Sequence, residues 1–291
     1  LGALSFRDGR TIKKIAPPAG ILSLPQLIDV AMDFDAGIPV DDERLAALFT
    51  CGSSPGGARP KALIQDENSI QWIAKFPRSD DRFQVESLEA ATLQLAKDAK
   101  IDIPEFKLFN IGEKKALLIK RFDISDHGGR NHMISMQTLL NADGFYYLSY
   151  SDLFDKLNRY SCQPQRDIDA LFRQMVFNMA VGNTDDHLKN FCMLRTEKGL
   201  HLSPAYDLVP NINNSREHQL SFPHGSGSRP IGRNLIHKIG DIQKASNPEL
   251  IINNVIESVS KWETVFRHYG VPEQDIQKLR SGIERRLSKI N

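Results

Sequence analysis

A long amphipathic segment in the second half of the chain constrains the fold most. Its apolar residues recur at the i, i+3, i+4, i+7 spacing of a helix, and they are Ile168, Leu171, Phe172, Met175, Val176, Met179 and Ala180. This pattern predicts a buried, central helix. The polar sequence GNTDDHLKN at 182–190 follows directly. We therefore expect a core helix that ends where several polar side chains are presented together.

The first half of the chain carries most of the strand signals, and the second half carries most of the helix signals. The elements predicted for the first half are helices at 24–34 and 41–49, strands at 61–64 and 70–76, a helix at 82–100, and strands at 105–109 and 116–122. In the second half we expect a short hairpin at 191–194 and 199–202, a mobile surface segment at 211–234, and two closing helices at 251–266 and 276–287. This order predicts an α+β fold with two lobes and a cleft between them. The small, sheet-containing N-lobe would span 1–123, and the mostly helical C-lobe 124–291.

Composition excludes several other classes of protein. The 291 residues include 37 Lys and Arg against 36 Asp and Glu, so a net charge of +1 gives no overall attraction to nucleic acid. Three widely spaced cysteines, Cys51, Cys162 and Cys192, do not form a disulfide framework or a zinc motif, and they favour a reducing compartment. No apolar run approaches the roughly 20 residues that cross a bilayer. We expect a cytoplasmic protein that does not enter a membrane.

The spacing of polar residues after the central helix predicts phosphoryl transfer. Asp185 and Asn190 are five residues apart, as are the base and the metal-binding Asn of the kinase loop H-R-D-x-x-x-x-N. Asp207 would supply a second ligand for the magnesium that accompanies ATP. Taken singly, each residue could equally cap a helix or a turn. Taken together, they predict a catalytic base at Asp185 and a Mg²⁺ site at Asn190 and Asp207.

Two features of the first half fit a nucleotide site. Lys75 ends a predicted strand and Glu89 lies fourteen residues later on the next helix, which is how kinases arrange the lysine and glutamate that pair over the phosphates; Glu86 is an alternative partner. The glycine-rich loop at 52–61, with Gly56, Gly57 and Lys61, could hold phosphates on its backbone amides. It matches neither Walker A nor G-x-G-x-x-G, so an ordinary turn stays open as an alternative.

These motifs together resemble the HipA family of bacterial serine/threonine kinase toxins. The stretches that carry the resemblance are SPGGARPKA at 54–62, AKFP at 74–77, KRFD at 120–123, GNTDDHLKN at 182–190 and PAYDL at 204–208. The resemblance implies a protein-kinase-like fold with ATP and Mg²⁺ as cofactors. It implies these roles: Asp185 as base, Asn190 and Asp207 on magnesium, Lys75 and His187 on ATP, Lys120 to Phe122 beside the adenine, and Ser54 or its neighbour Ser53 as the inhibitory autophosphorylation site. Lys120 replaces an acidic residue often found in the adenine segment, so only backbone contacts are expected there.

The resemblance also implies partners. They are a HipB-like helix-turn-helix antitoxin of a type II toxin–antitoxin system, DNA reached only through that antitoxin, and an aminoacyl-tRNA synthetase as substrate. The chain begins near the family's kinase core, which resembles the short HipT type with a separate HipS-like N-terminal-subdomain protein; a trimmed full-length member would look the same. Two other functions stay open, namely a small-molecule or lipid kinase with the same Asp-x-His-x-x-Asn loop, and an inactive co-repressor subunit.

We predict that Ser53 or Ser54 becomes phosphorylated when the protein is incubated with ATP. Each lies in the glycine-rich loop, where a phosphate adds about two negative charges at the place expected for the phosphates of the nucleotide. Mass spectrometry of the peptide that contains both serines measures the modification, with the Asp185→Asn variant as control. An unmodified peptide after prolonged incubation would contradict the prediction.

Overall fold

The computed structural model describes residues 19–20, 23–41, 44, 59–125, 129–143, 147–213, 215, 217–223 and 226–291. Most of the predicted helix at 41–49 lies outside these ranges. So do Ser53, Ser54, Gly56 and Gly57 of the glycine-rich loop, so what is expected of them remains a prediction.

A five-stranded sheet forms the first half. Its strands are β1 (Ala19–Gly20), β2 (Lys61–Gln65), β3 (Gln71–Lys75), β4 (Phe106–Ile111) and β5 (Lys114–Lys120), in the spatial order β1-β2-β3-β5-β4. β1 runs parallel to β2, and the other neighbours are antiparallel. Lys61 pairs with Lys75 in the register of β2 and β3, which brings both lysines to the same end of the sheet. The predicted strands from 61 onward are confirmed.

Each face of this sheet is covered by one helix. Along β5, Ala116 and Leu118 pack in the cluster of α1 (Leu24–Asp35), whereas Leu117 and Ile119 pack in the cluster of α2 (Val85–Asp98). Successive strand residues point to opposite faces, which explains this division. The helices predicted at 24–34 and 82–100 are both confirmed.

The second half is mostly helical and is built around one element. Its helices are α3 (Met136–Leu139), α4 (Tyr150–Tyr160), α5 (Pro164–Val181), α6 (Arg233–Ile242), α7 (Pro248–Val259), α8 (Trp262–His268) and α9 (Glu273–Ile290). The central helix predicted from the sequence is α5, which packs against α4, α7 and α9 and is buried along most of its length. A three-stranded sheet lies beside it, with β6 (Met133–Ser135), β7 (Cys192–Thr196) and β8 (Gly199–Leu202). The predicted hairpin of β7 and β8 is confirmed, whereas β6 was not predicted. Together the two halves give the two-lobed α+β fold, while a lobe boundary at residue 123 stays a prediction.

Two expectations about the C-terminal half are wrong. The single helix expected over 251–266 is two, because the chain turns at Ser260 and Lys261, where the amide of Lys261 bonds to the carbonyl of Ser258. The segment 211–234 is not a surface segment throughout. His218, Leu220 and Phe222 are at most 4% exposed, and α6 already begins at Arg233.

Among the helices of the described ranges, none combines the length with the apolar composition that crossing a bilayer requires.

We predict that Gly182→Ala destabilises the fold more than Gly112→Ala does. Gly182 ends α5 with φ +82°, and an added Cβ would lie 2.9 Å from Cζ of Arg286. Gly112, at φ +60° in the turn between β4 and β5, has nothing within 4 Å of that position. Left-handed backbone costs roughly 1–2 kcal/mol in both variants, and overpacking adds about 1–3 kcal/mol at Gly182 alone.

Urea denaturation of both variants measures the free energy of unfolding. Equal losses in the two variants would show that Arg286 does not constrain the end of α5.

Candidate functional site

A buried ammonium group joins the sheet, a helix and a loop. Lys75, at the end of β3, places Nζ 2.6 Å from Oε1 of Glu89 on α2, and Nζ also bonds to Oδ1 of Asp207 in the loop after β8. The side chain of Lys75 is 11% exposed and that of Glu89 4%, whereas the side chain of Asp207 is 43% exposed. The ammonium of Lys75 therefore contacts one buried carboxylate, that of Glu89, and one partly exposed carboxylate, that of Asp207.

Charge pairing, rather than burial, decides the protonation of Lys75 and Asp207. Burial acts to lower the pKa of Lys75, but the two carboxylates outweigh it and the pKa lies above its usual value. Burial acts to raise the pKa of Asp207, but Lys75 outweighs it and the pKa lies below its usual value. For Glu89 the burial effect wins, so its pKa is raised although Lys75 opposes the change. Lys75 and Asp207 are thus an ion pair at neutral pH.

Arg59 binds Glu86, the residue that the sequence leaves open as an alternative partner for Lys75. Its guanidinium donates to Asp81 Oδ1 at 2.8 Å and to Glu86 Oε1 at 2.9 Å, so Glu86 pairs with Arg59 and Glu89 with Lys75. Lys61, across from Lys75 in the sheet, is half-buried, and burial lowers its pKa while Asp207 acts to raise it. The end of the glycine-rich loop is therefore tied to the start of α2, with Lys61 near the Lys75 group.

The loop after α5 presents Asp185 outward. The side chain of Asp185 is 73% exposed, although the next side chain, Asp186, is fully buried. Asn190, at the end of a 3₁₀ turn (Leu188–Asn190), donates from Nδ2 to the carbonyl of Asp185 at 2.9 Å. Nε2 of His187 lies 3.7 Å from Oδ1 of Asp185. The three predicted residues of this loop are therefore in mutual contact, with the carboxylate of Asp185 open to an approaching group.

Tyr206 brings this loop beside the Lys75 group. Its hydroxyl donates to the carbonyl of Lys189 at 2.7 Å, and its ring centroid lies 5.7 Å from that of Phe122. The next residue, Asp207, has φ +53°, a conformation that is sparsely populated outside glycine and often marks functional sites. Both carboxylates of the predicted chemistry thus lie in one region, with Phe122 at its edge.

One predicted residue points elsewhere. The ammonium of Lys120 lies 3.5 Å from Oε2 of Glu105, and the side chain is 41% exposed. Its backbone amide donates to the carbonyl of Glu105 at 2.8 Å, so both contacts serve the edge of the sheet. Any nucleotide contact by its side chain would require this ion pair to open.

The two residues predicted to bind metal fit an ion that is shared with phosphates. Asp207 offers a carboxylate, and because Nδ2 of Asn190 is engaged with Asp185, the amide oxygen is the atom that can bind an ion. Magnesium commonly takes one or two protein oxygens and completes its shell with water and substrate phosphates. Within the described ranges no three His, Cys, Asp or Glu side chains are grouped as a metal site. Asn190 and Asp207 thus offer two oxygens of the kind that a magnesium ion on a nucleotide takes from a protein.

A buried network below the loop was not predicted. Asp186 accepts from the hydroxyl of Tyr150 at 2.6 Å, from Nδ1 of His218 at 2.9 Å and from the amide of Gln219 at 2.9 Å. Asn178 on α5 donates to the same hydroxyl at 3.2 Å. The turn-forming residues of this stretch predict a surface segment instead. The alternation of His218, Leu220 and Phe222 with more polar residues is the signal that could have revealed a half-buried, extended segment.

The chain is similar to a known family over most of its length. Residues 53–263 match the family model described as the HipA-like C-terminal domain, and this range contains the whole site. A Sinorhizobium fredii protein with the provisional name kinase Y4mE is 29% identical over 150 residues, which are 48% of this chain and 34% of that protein. The serine/threonine-protein kinase toxin HipA of Shewanella oneidensis is 27% identical over 142 residues, which are 42% of this chain and 33% of that protein. These two matches span about a third of the length of either relative.

A solved structure shares the fold. In the complex of HipA, HipB and operator DNA from Shewanella oneidensis MR-1, the matching chain gives a TM-score of 0.61 at 18% identity. The match covers 81% of this chain and 64% of that one.

We predict that Lys75→Met destabilises the protein by about 3–5 kcal/mol, because it removes the cation that is hydrogen-bonded to the buried carboxylate of Glu89. The double variant Lys75→Met with Glu89→Gln should lose less than the single variant, since a neutral amide needs no counter-charge. Free energies of unfolding from urea titrations measure both.

The control is Lys261→Met. It breaks an exposed pair with Glu257, whose Nζ–Oε1 distance is 3.0 Å, and should cost only about 0.3–0.5 kcal/mol. A double variant as unstable as Lys75→Met would refute the buried pairing as the cause.

Proposed function

The chain belongs to the HipA-like C-terminal domain family, and we propose that it is a kinase that transfers the γ-phosphate of ATP to a serine or threonine of a protein. One observation carries the proposal. The exposed carboxylate of Asp185 and the amide of Asn190 are held in one loop, and the hydrogen bond from Tyr206 to the carbonyl of Lys189 joins this loop to the residue beside Asp207, which pairs with Lys75. Base, amide, lysine and second carboxylate are the protein groups that phosphoryl transfer requires.

Lys75 would contact the phosphates of ATP. Glu89 holds its ammonium from the buried side, so the cation stays in place when Asp207 turns to another partner. Burial strengthens the interaction of that ammonium with phosphate oxygens, because little water competes for it. Lys61 and the glycine-rich loop with Gly56 and Gly57 would also contact the phosphates, and Phe122 would lie beside the adenine.

Asp185 would receive the proton of the substrate hydroxyl. Its carboxylate is open to solvent, and Asn190 fixes the backbone carbonyl of the same residue, so the loop is held while the carboxylate faces the substrate. His187 lies on one side of that carboxylate, with Nε2 3.7 Å from Oδ1 of Asp185, where it would contact ATP. When Mg²⁺ is bound, it would neutralise charge on the transferred phosphate, and Asn190 and Asp207 are the residues that would hold it.

We further propose that this kinase acts as the toxin of a type II toxin–antitoxin system. Support comes from the HipA toxin to which the chain is similar and from the HipB partner in the solved complex. A HipB-like helix-turn-helix protein would neutralise it and carry the DNA contact, which agrees with a net charge of +1. The substrate would be an aminoacyl-tRNA synthetase in the cytoplasm. A HipS-like subdomain protein would complete a short, HipT-like form.

We predict that Asp185→Asn lowers phosphate transfer by about 10²–10⁴-fold, which is the usual contribution of a general base. The amide keeps the size of the side chain but cannot accept the proton. Purified protein is incubated with labelled ATP and a bacterial lysate, and label is measured separately in proteins and in the small-molecule fraction. Asp155→Asn, which changes an exposed carboxylate on α4, should transfer label at the normal rate.

Each competing function has its own result in this assay. Label found only in small molecules would replace the protein kinase with a metabolite or lipid kinase. If growth arrest and label incorporation persist in the Asp185→Asn variant, Asp185 is not the catalytic base. If the unaltered protein incorporates no label, an inactive co-repressor subunit is favoured. Phosphoproteomics of cells that express the chain or its Asp185→Asn variant would identify the target.

A further inference from the structure

We propose that Asp186 and His218 are positioning residues, whose buried hydrogen bond holds residues 217–222 against the catalytic loop and thereby fixes the direction of Asp185. We call 217–222 the His218 segment and 182–190 the catalytic loop. The proposal rests on the kinase function proposed above. It assigns a role to two residues that do not themselves meet ATP or substrate.

Asp186 is the buried anchor of the catalytic loop. Both side chains of the Asp186–His218 pair have no exposed surface, and Asp186 accepts three hydrogen bonds, one each from Tyr150, His218 and the amide of Gln219. A buried carboxylate is tolerated only while such donors stay in place, because an unpaired charge away from water is very costly. Since Asp185 is the preceding residue and points to the opposite side, any shift of Asp186 turns the base as well.

The His218 segment is bound along its length to the same region. The amide of Gln219 reaches the carbonyl of Thr184 at 3.2 Å as well as Asp186. Two residues on, the amide of Ser221 donates to the carbonyl of Leu148 at 3.1 Å, and the carbonyl of Ser221 accepts from the amide of Tyr150 at 3.0 Å. The segment therefore lies like a strand between the catalytic loop and the start of α4.

Side chains lock the histidine in its orientation. The ring of Phe222 meets that of His218 edge-on at 5.0 Å, and the same ring stacks on Tyr150 at 5.8 Å. Nδ1 of His218 faces Asp186, while its buried Nε2 has no hydrogen-bond partner among the described residues. Among the described residues, the hydrogen bond of this side chain is therefore the one from Nδ1 to Asp186.

A second tie fixes the chain just before this segment. Asn211 donates from Nδ2 to Oγ1 of Thr184 at 2.7 Å, and its amide donates to the carbonyl of Gly182 at 2.8 Å. Arg286 on α9 bonds to the carbonyl of Ser215 and packs against Gly182. Among the described residues of this stretch, 211, 215 and 217–221 thus contact the catalytic loop or the helix beside it, and the His218 contact is the one between side chains at the residue next to the base.

The chemistry of the amide side chains gives a sharp test. An Asn side chain places its NH₂ group near the position of Nδ1 in histidine, whereas a Gln side chain places its NH₂ group near Nε2. We therefore compare His218→Asn, His218→Gln and His218→Ala in the full chain. Only His218→Asn keeps a donor toward Asp186.

The first readout is the rate of label transfer from ATP to lysate proteins as a function of ATP concentration. We predict a kcat about 100-fold lower for His218→Ala and His218→Gln, as expected when a reacting group is misplaced by about 1 Å. His218→Asn should keep most of the rate. The KM for ATP should be the same in all of these variants, because the Lys75 group is not touched.

The second readout is amide hydrogen exchange, which needs no substrate. In His218→Ala and His218→Gln, peptides from the catalytic loop and the His218 segment should exchange about tenfold faster, with α9 unchanged, since only a local contact is lost. The matched control is His237→Asn, which alters an exposed His–Asp pair with a 3.1 Å contact on α6. It should change neither the rate nor the exchange.

The outcomes separate this proposal from the kinase function. If His218→Asn behaves like His218→Ala in rate and exchange, or if exchange rises uniformly across the chain, the positioning role is wrong. If the unaltered protein transfers no label, the proposed function fails. The exchange data then still decide whether His218 holds the catalytic loop, because faster exchange confined to the two peptides supports it and its absence overturns it.

Discussion

The ammonium of Lys75 is the constraint on which the rest of the site depends. It is nearly buried, so it needs carboxylates close by, and it finds one on α2 and one in the loop at Asp207. A charge in such surroundings is tolerated only when it is paired in good geometry, and removal of either partner is costly. The pair therefore fixes how β3, α2 and the loop at Asp207 lie relative to one another. Since Asp207 is the more exposed carboxylate, it is the partner that can be shared with another cation, while Glu89 stays on Lys75.

The catalytic loop shows how two identical neighbours acquire opposite roles. Nothing in their own chemistry distinguishes Asp185 from Asp186, yet one is 73% exposed and the other is fully buried. The difference arises from donors far along the chain, since Tyr150, His218 and Gln219 surround Asp186. A base that must reach a substrate has few contacts of its own. If Asp185 is the base, as we propose, the buried neighbour supplies the rigidity that it lacks, which is how a second layer of residues commonly supports a functional group.

Much of the fold could be predicted from the sequence, because its signals are local. The helical spacing of apolar residues identified α5, and apolar runs bounded by turn residues identified the strands from β2 onward. The three-residue β6 has too few side chains to carry a pattern, since only its pairing with β7 defines it. The turn at Ser260 was hidden because apolar spacing continues through Trp262 and Phe266, whose rings meet edge-on at 5.4 Å. In the segment 211–234, turn-forming residues outweighed the apolar alternation around Leu220.

In the candidate site, too, contacts between residues close in the chain could be predicted from the sequence, whereas contacts between distant residues could not. The contact foreseen was the one between Lys75 and Glu89, which a strand–helix unit enforces over a short separation in the chain. Asp207 lies 132 residues from Lys75 in the chain, and only the order of the kinase motifs along the sequence pointed to it. The bond from Asp186 to His218 spans 32 residues and belongs to no such order. Sequence patterns thus locate groups whose positions are encoded nearby, whereas the residues that hold those groups still are found only when the packed chain brings them together.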